Sequence, residues 1–275
     1  MTIGVQQTLD ARPFLKWAGG KTKLIQQYTP YFPKDYKTYY EPFLGGGAVF
    51  FSLNPTVAAL TDINAELVNT YRCVKDNVEE LIELLVEHQL RHSKDYYYQV
   101  RQHHCHTKLE QAARLIYLNK TCFNGLYREN SQGEFNVPIG KYKNPKICNP
   151  PLLRAVSAAL QKAQLEVRPF EDILNYARSS KDFVYFDPPY YPISSTSNFT
   201  GYSRYSFSQD KQIRLKEVFA ELAHRGVKVM LSNSDCEFIR NLYSDFNIYS
   251  ILASRLINSN VTKRGKISEV LITSY

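Results

Sequence analysis

The chain has 275 residues, 44% of them hydrophobic, enough to build a sizeable core in one large domain or in a domain carrying an inserted module. That composition argues against an intrinsically disordered chain. Lysine and arginine outnumber aspartate and glutamate by 34 to 26, and the resulting +8 charge and pI near 9.1 suit a polyanionic partner as well as plain solubility.

The opening MTIGVQQTLDARPF has neither a basic leader nor a signal-cleavage pattern, and no apolar run reaches membrane-spanning length, so a soluble cytoplasmic protein without membrane association is expected. FLKWAGGKTKL follows. Its Gly20-Lys21-Thr22 invites comparison with a phosphate-binding loop, but that pattern requires a glycine where Leu15 stands, which removes an ATPase reading. What remains is Trp17 and two lysines around a Gly19-Gly20 turn, suited to an adenosyl or carboxylate group. Next, TYYEPFLGGGAVFFSL reads as a strand, the glycine turn Gly45 to Gly47 and an apolar helix, and VAALTDIN as a second strand ending at Asp62. Glycines permit close backbone approach to a ligand, and an acidic residue at the end of the next strand can accept ribose hydroxyls. The run misses the GxGxxG spacing of a dinucleotide site, so an adenosine ligand is favoured over a nicotinamide cofactor.

From about Glu66 to Cys148 the periodicity turns helical, in LVNTYRCVKDNVEELIELLVEHQL and LEQAARLIYLN, and then gives way to a Gly-, Asn- and Pro-rich stretch that suggests a hairpin or ordered loop. His103, His104, Cys105 and His106 resemble a metal cluster, but neighbours on a helix diverge and cannot close one tetrahedron, so no metal site is expected. Alternation then returns in LEVRPF, DFVYFD, a helix from about Gln209 to His224, VKVMLSN, another helix, IYSILAS and SEVLITSY. Strands alternating with helices imply α/β architecture, a doubly wound and mostly parallel sheet interrupted by a mainly helical insertion. Five cysteines without a CxxC pair support neither a disulfide framework nor a thiolate zinc site.

The strongest local signal is DFVYFDPPYYP. An apolar strand delivers Asp187 to its carboxyl end, where open α/β sheets bind ligands, and Pro188, Pro189 and Tyr190 follow. Prolines contribute carbonyl acceptors without N–H donors, Asp187 an acceptor carboxylate and Tyr190 a flat ring, which together would receive an amine on a planar ring. An Asp before Pro also ends strands and starts turns, so the motif gains its weight from the glycine turn and Asp62.

FLKWAGGK, EPFLGGGAVFF, TDIN and DPPY, in that order, resemble the Dam family of DNA adenine-N6 methyltransferases, of the α-type motif arrangement and D12 class. The similarity extends to NGLYRENSQGEFNVPIGKYKNP, SNFTGY and RLINSNVTKRGKISEVLITSY, nearly the whole chain. The resemblance implies a Rossmann-like methyltransferase fold, with residues 1–65 and 149–275 catalytic and 66–148 forming a DNA target-recognition domain with a β-hairpin. It implies S-adenosyl-L-methionine as methyl donor, S-adenosyl-L-homocysteine as product, and no metal. Cofactor binding falls to Trp17, Lys21, Phe43, Gly45, Gly47, Asp62, Ile63 and Asp187, and catalysis on flipped adenine to Asp187, Pro188, Pro189 and Tyr190. Asp187 would orient the amine more than deprotonate it.

Between Lys94 and Lys146, nine Lys or Arg face four Asp or Glu, so this stretch of the insertion carries a local charge of +5. Arg101, Lys141 and Lys143 are candidates for phosphate contacts and Arg128 for guanine reading. The resemblance further implies recognition of GATC in duplex DNA through Leu126, Arg128 and Pro138, with Lys16 at the outer guanine and Phe123 and Tyr142 in the interface; GATATC is the related alternative. Phe123 replaces a frequent tyrosine, and Lys141 a frequent arginine whose planar fork is lost. A monomer is expected, either an orphan enzyme or the partner of a cognate restriction endonuclease. A DNA-binding module with a relic pocket, or amine methylation of RNA or protein glutamine, would be the competing readings.

Overall fold

The computed structural model describes residues 10–130, 132–193, 207–254 and 266–275. Its elements in chain order are α1 (Ile25–Tyr28), β1 (Thr38–Glu41), α2 (Ala48–Leu53), β2 (Ala58–Asp62), α3 (Ala65–Asp76), α4 (Val78–Arg91), α5 (Lys94–Gln102), α6 (Lys108–Thr121) and α7 (Pro150–Leu160). There follow β3 (Ala163–Val167), β4 (Asp182–Phe186), α8 (Gln209–His224), β5 (Lys228–Ser234), α9 (Glu237–Leu242), β6 (Asn247–Ser254) and β7 (Lys266–Thr273). Two compact units emerge, Met1–Gly20, Gly45–Asn54 and Asn64–Leu165 in one, and Lys21–Leu44, Pro55–Ile63 and Glu166–Tyr275 in the other.

Among the described residues the strands form one seven-stranded sheet in the order β3-β2-β1-β4-β5-β7-β6. β1 pairs parallel with β2 and β4, and β4 with β5, while β7 runs antiparallel between β5 and β6. The expected doubly wound, mostly parallel sheet is therefore present. Chain progression reverses between β1 and β4, so the crevice beyond their carboxyl ends is the topological switch point at which such sheets bind ligands. β4 is buried along its whole length, which is why its sequence is continuously apolar rather than alternating. Behind it, α8 turns Leu215, Val218, Phe219 and Leu222 onto Val184, Phe186, Val229, Leu231, Val270 and Ile272 in one core.

The helical unit is built on α3, α4, α6 and α7. The long expected helix from LVNTYR to EHQL is broken at Asn77, whose non-helical backbone (φ −135°, ψ 44°) ends α3 and starts α4. Asn64 caps α3, Ser93 caps α5, and Thr107 with Glu110 forms a reciprocal capping box on α6. Thr107→Ala is expected to cost about 1 kcal/mol, read as a lowered urea midpoint with unchanged m-value. His103 to His106 lie in the connection between α5 and α6, outside any helix. The Gly-, Asn- and Pro-rich stretch is an ordered loop carrying two isolated antiparallel bridges, Cys122 with Ile139 and Glu129 with Phe135, rather than paired strands. Left-handed Asn124 and Gly125 and the missing N–H of Pro138 prevent a continuous ladder.

Candidate active site

In the sheet-bearing unit the chemistry gathers where β4 ends. Lys21 Nζ stands 2.8 Å from Asp187 Oδ1 with its side chain almost fully buried. Ser232 Oγ, from the end of β5, donates to the same oxygen at 2.9 Å and lies 2.9 Å from the Tyr185 hydroxyl. Both donors engage Oδ1. The ammonium of Lys21 also stands 4.6 Å above the Tyr190 ring, and the Tyr190 hydroxyl donates to Glu269 Oε2 at 2.8 Å. Burial, reinforced by the neighbouring carboxylates, pushes the Tyr28, Tyr185 and Tyr190 phenols well above their ordinary range. Burial likewise raises Glu269, against the opposing pull of Lys21.

The turn after Asp187 is held from behind. Gln212 Nε2, on α8, donates to the Pro189 carbonyl at 2.9 Å, and Asn233 Nδ2 donates to Gln212 Oε1 at 3.0 Å. Asn233 Oδ1 in turn accepts from the Tyr191 and Ser234 amides. No hydrogen bond among the described residues ends on the Pro188 carbonyl. Phe43, just beyond β1, stacks on Phe170 at 5.5 Å and meets Phe186 edge-on. Asp62 closes β2, and Ile63 after it is 46% exposed. A carboxylate at a strand end beside exposed apolar surface fits the ribose and base of an adenosine.

Within the helical unit, Trp17 packs against the glycine turn. Gly45 adopts φ +46°, and a β-carbon there would stand 3.0 Å from Trp17 Cδ1, so both backbone and indole demand glycine. Gly47 is also left-handed, at φ +65°, where it starts α2. Tyr71 donates to the Gly45 carbonyl, and Tyr127 stacks on Trp17 with 5.4 Å between centroids. The Tyr127 hydroxyl bonds to Glu66 at 2.7 Å and also to Glu129, and burial raises Glu66.

The same unit assembles most of the residues expected at DNA. Asn119, buried on α6, receives the Lys16 amide at 2.8 Å and donates to the Lys16 and Gly125 carbonyls. This fixes Lys16 beside Gly125, and the Lys16 ammonium lies 4.0 Å over the Tyr142 ring. Phe123, Leu126 and Tyr142 expose 47%, 41% and 38% of their surface, unusual for large apolar side chains. Pro138 receives the Phe123 amide at 2.9 Å, tying the two sides of the loop. Arg128 is held by Asn136 Oδ1 at 2.7 Å, whereas Lys141 and Lys143 are exposed. Arg101 is directed onto the Val137 carbonyl at 3.4 Å and the Tyr98 ring, bracing the loop. Burial and the nearby Lys16 charge lower Lys120 to about 8.

A family model described as D12 class N6 adenine-specific DNA methyltransferase matches residues 17–257. The chain belongs to this family. It is 44% identical over 283 residues to the Type II methyltransferase M1.LlaDCHI of Lactococcus lactis subsp. cremoris, covering 100% of this chain and 99% of the relative. It is 42% identical to the Type II methyltransferase M.MjaIII of Methanocaldococcus jannaschii (97% and 100% covered) and 35% identical to the DNA adenine methylase of Escherichia coli K12 (94% and 94%). Membership makes the protein an adenine-specific DNA methyltransferase and implies S-adenosylmethionine as its methyl donor.

For this D12-class enzyme, sequence reasoning did not single out Ser232, Asn233, Gln212, Glu269 or Asn119. The polar Ser-Asn-Ser ending of an otherwise apolar β5 was the available signal for two of them. SNFTGY and residues 255–265 of the closing segment lie outside the described residues. Among the described residues, no group of three or more His, Cys, Asp or Glu is arranged to hold a metal ion, and no helix is long and apolar enough to cross a membrane.

Proposed function

We propose that this methyltransferase acts on N6 of an adenine rotated out of duplex DNA, within GATC. The observation that carries the chemistry is the Asp187 carboxylate at the switch point, its Oδ1 held by buried Lys21 and by Ser232, with the proline turn directly after it. Oδ2 and the Pro188 carbonyl would accept the two N–H groups of the adenine amine. That turns the nitrogen lone pair away from the ring and toward attack, and holds the nitrogen in line before transfer. Tyr190 stacks on the extruded base, contributing to the few kcal/mol needed to unstack it. Trp17, Lys21, Phe43, Gly45, Gly47, Asp62 and Ile63 are the residues that would hold the cofactor. When bound, S-adenosylmethionine supplies an electrophilic methyl group on a sulfonium.

Residues 66–148 are assigned to target recognition, and 1–65 with 149–275 to catalysis. Phe123 would wedge into the opened stack, while Leu126, Arg128, Pro138, Tyr142 and Lys16 contact bases and Lys141 and Arg101 the backbone. The exposed Phe123 and Leu126 beside Lys16 support this reading. The GATC assignment rests on the Leu-x-Arg step and FNVPxG segment, and a cognate restriction endonuclease is favoured by the Type II names of two relatives.

Sequencing of modified adenine in DNA from cells expressing the protein tests the target directly. Methylation confined to GATC supports the reading; methylation of GATATC or another site replaces it. Arg128→Ala is expected to relax discrimination at one guanine by about 1–3 kcal/mol, measured as relative kcat/KM on cognate and singly substituted duplexes.

A further inference from the structure

We infer that Glu269 is a positioning residue of the methyl-transfer site, acting through the Tyr190 hydroxyl. The inference rests on the role of Asp187, Pro188 and Tyr190 proposed above. Glu269 lies on β7, opposite Ser234 of β5 and Ile251 of β6, and is followed by the fully buried Val270, Leu271 and Ile272. A carboxylate in such a strand is costly unless it is engaged, and its acceptor Oε2 takes the Tyr190 hydroxyl at 2.8 Å. A ring required only for stacking would serve equally as phenylalanine. The hydroxyl gives Tyr190 a second fixed point in addition to its backbone, while Lys21 stands over the ring face. The ring is thereby set in one rotamer before the base arrives, so ordering it subtracts less from transition-state stabilisation.

The experiment compares Glu269→Ala, Glu269→Gln, Tyr190→Phe and Tyr190→Phe/Glu269→Ala in steady-state kinetics on duplex DNA, with thermal melting and calorimetric binding of S-adenosylhomocysteine for each. Glu269→Ala and Tyr190→Phe are each expected to lower kcat about tenfold, the size of one charge-assisted hydrogen bond, with cofactor KM and product-analogue affinity unchanged. The double variant should lose no more than either single one. Glu269→Gln, which keeps an acceptor for the phenol, should return kcat to within about twofold of the parent. Unchanged kcat in Glu269→Ala, additive losses in the double variant, or failure of glutamine to rescue would each overturn the inference. Should Glu269→Ala not fold, Tyr190→Phe and Glu269→Gln decide by the same criteria. Asp187→Ala run alongside separates the two levels: activity there overturns the underlying site reading, whereas its loss with full activity in Glu269→Ala overturns the role of Glu269 alone.

Discussion

Asp187→Ala is expected to lower kcat by at least about a thousandfold, roughly 4 kcal/mol of transition-state stabilisation, while leaving the secondary structure intact. The side chain is at once the acceptor proposed for the amine and the partner of buried Lys21, so its loss removes both orientation and an ion pair. Stability should fall as well, by about 2–3 kcal/mol. Asp187→Asn separates the two effects. Its carbonyl can still accept one N–H, but its amide group turns a donor toward either Lys21 or the substrate, so an intermediate loss of about a hundredfold is expected. Single-turnover incorporation of labelled methyl groups, with circular dichroism on the same samples, checks both. Wild-type rates in Asp187→Ala would remove Asp187 from the chemistry.

Asn233→Ala is the second large effect. The side chain is completely buried and makes three hydrogen bonds, accepting from the Tyr191 and Ser234 amides and donating to Gln212, which in turn holds the Pro189 carbonyl. Truncation strands buried polar groups on both sides of the turn at about 1–3 kcal/mol apiece, so a destabilisation of roughly 2–4 kcal/mol is expected in urea unfolding. The turn after Asp187 also loses its rear support, and kcat should fall about a hundredfold, since displacement by about 1 Å costs that much in aligned transfer. Asn233→Asp is informative because it keeps the volume. A carboxylate facing Gln212 Oε1 forces the Gln212 amide to flip, which withdraws its donor from Pro189. Activity should therefore drop without a comparable loss of packing; unchanged kcat would show that the turn holds itself.

Much of the fold is legible in sequence because burial leaves a period. DFVYFD reads as a central strand because a sheet covered on both faces admits only apolar residues, and Gln209 to His224 as a helix because one of its faces meets the core. Asp187, Pro188, Pro189, Tyr190 and Lys21 stand out through their motifs, and the last of these does meet Asp187. Glu269 and Gln212 do not stand out. A single polar residue in an apolar strand or helix has no local signature, and its meaning comes from a partner that only sheet register supplies. α5 and α7 are similarly quiet, the first for its tyrosine-rich face and the second for its opening prolines. Arg101 stands out by charge and position as a phosphate contact, but no local signal in the sequence shows that its guanidinium also reaches the Val137 carbonyl.

The antiparallel strand β7 has a consequence in time. Tyr190 meets Glu269 across 79 residues of chain, and β5 acquires its outer neighbour only when β7 docks. Closing long loops before contacts can offset their entropy makes such pairings slow. A refolding chain should therefore recover its helical signal well before it recovers methyl transfer. The lag between them would report the docking of one strand, and a nascent enzyme would be kept from modifying DNA until that strand is in place.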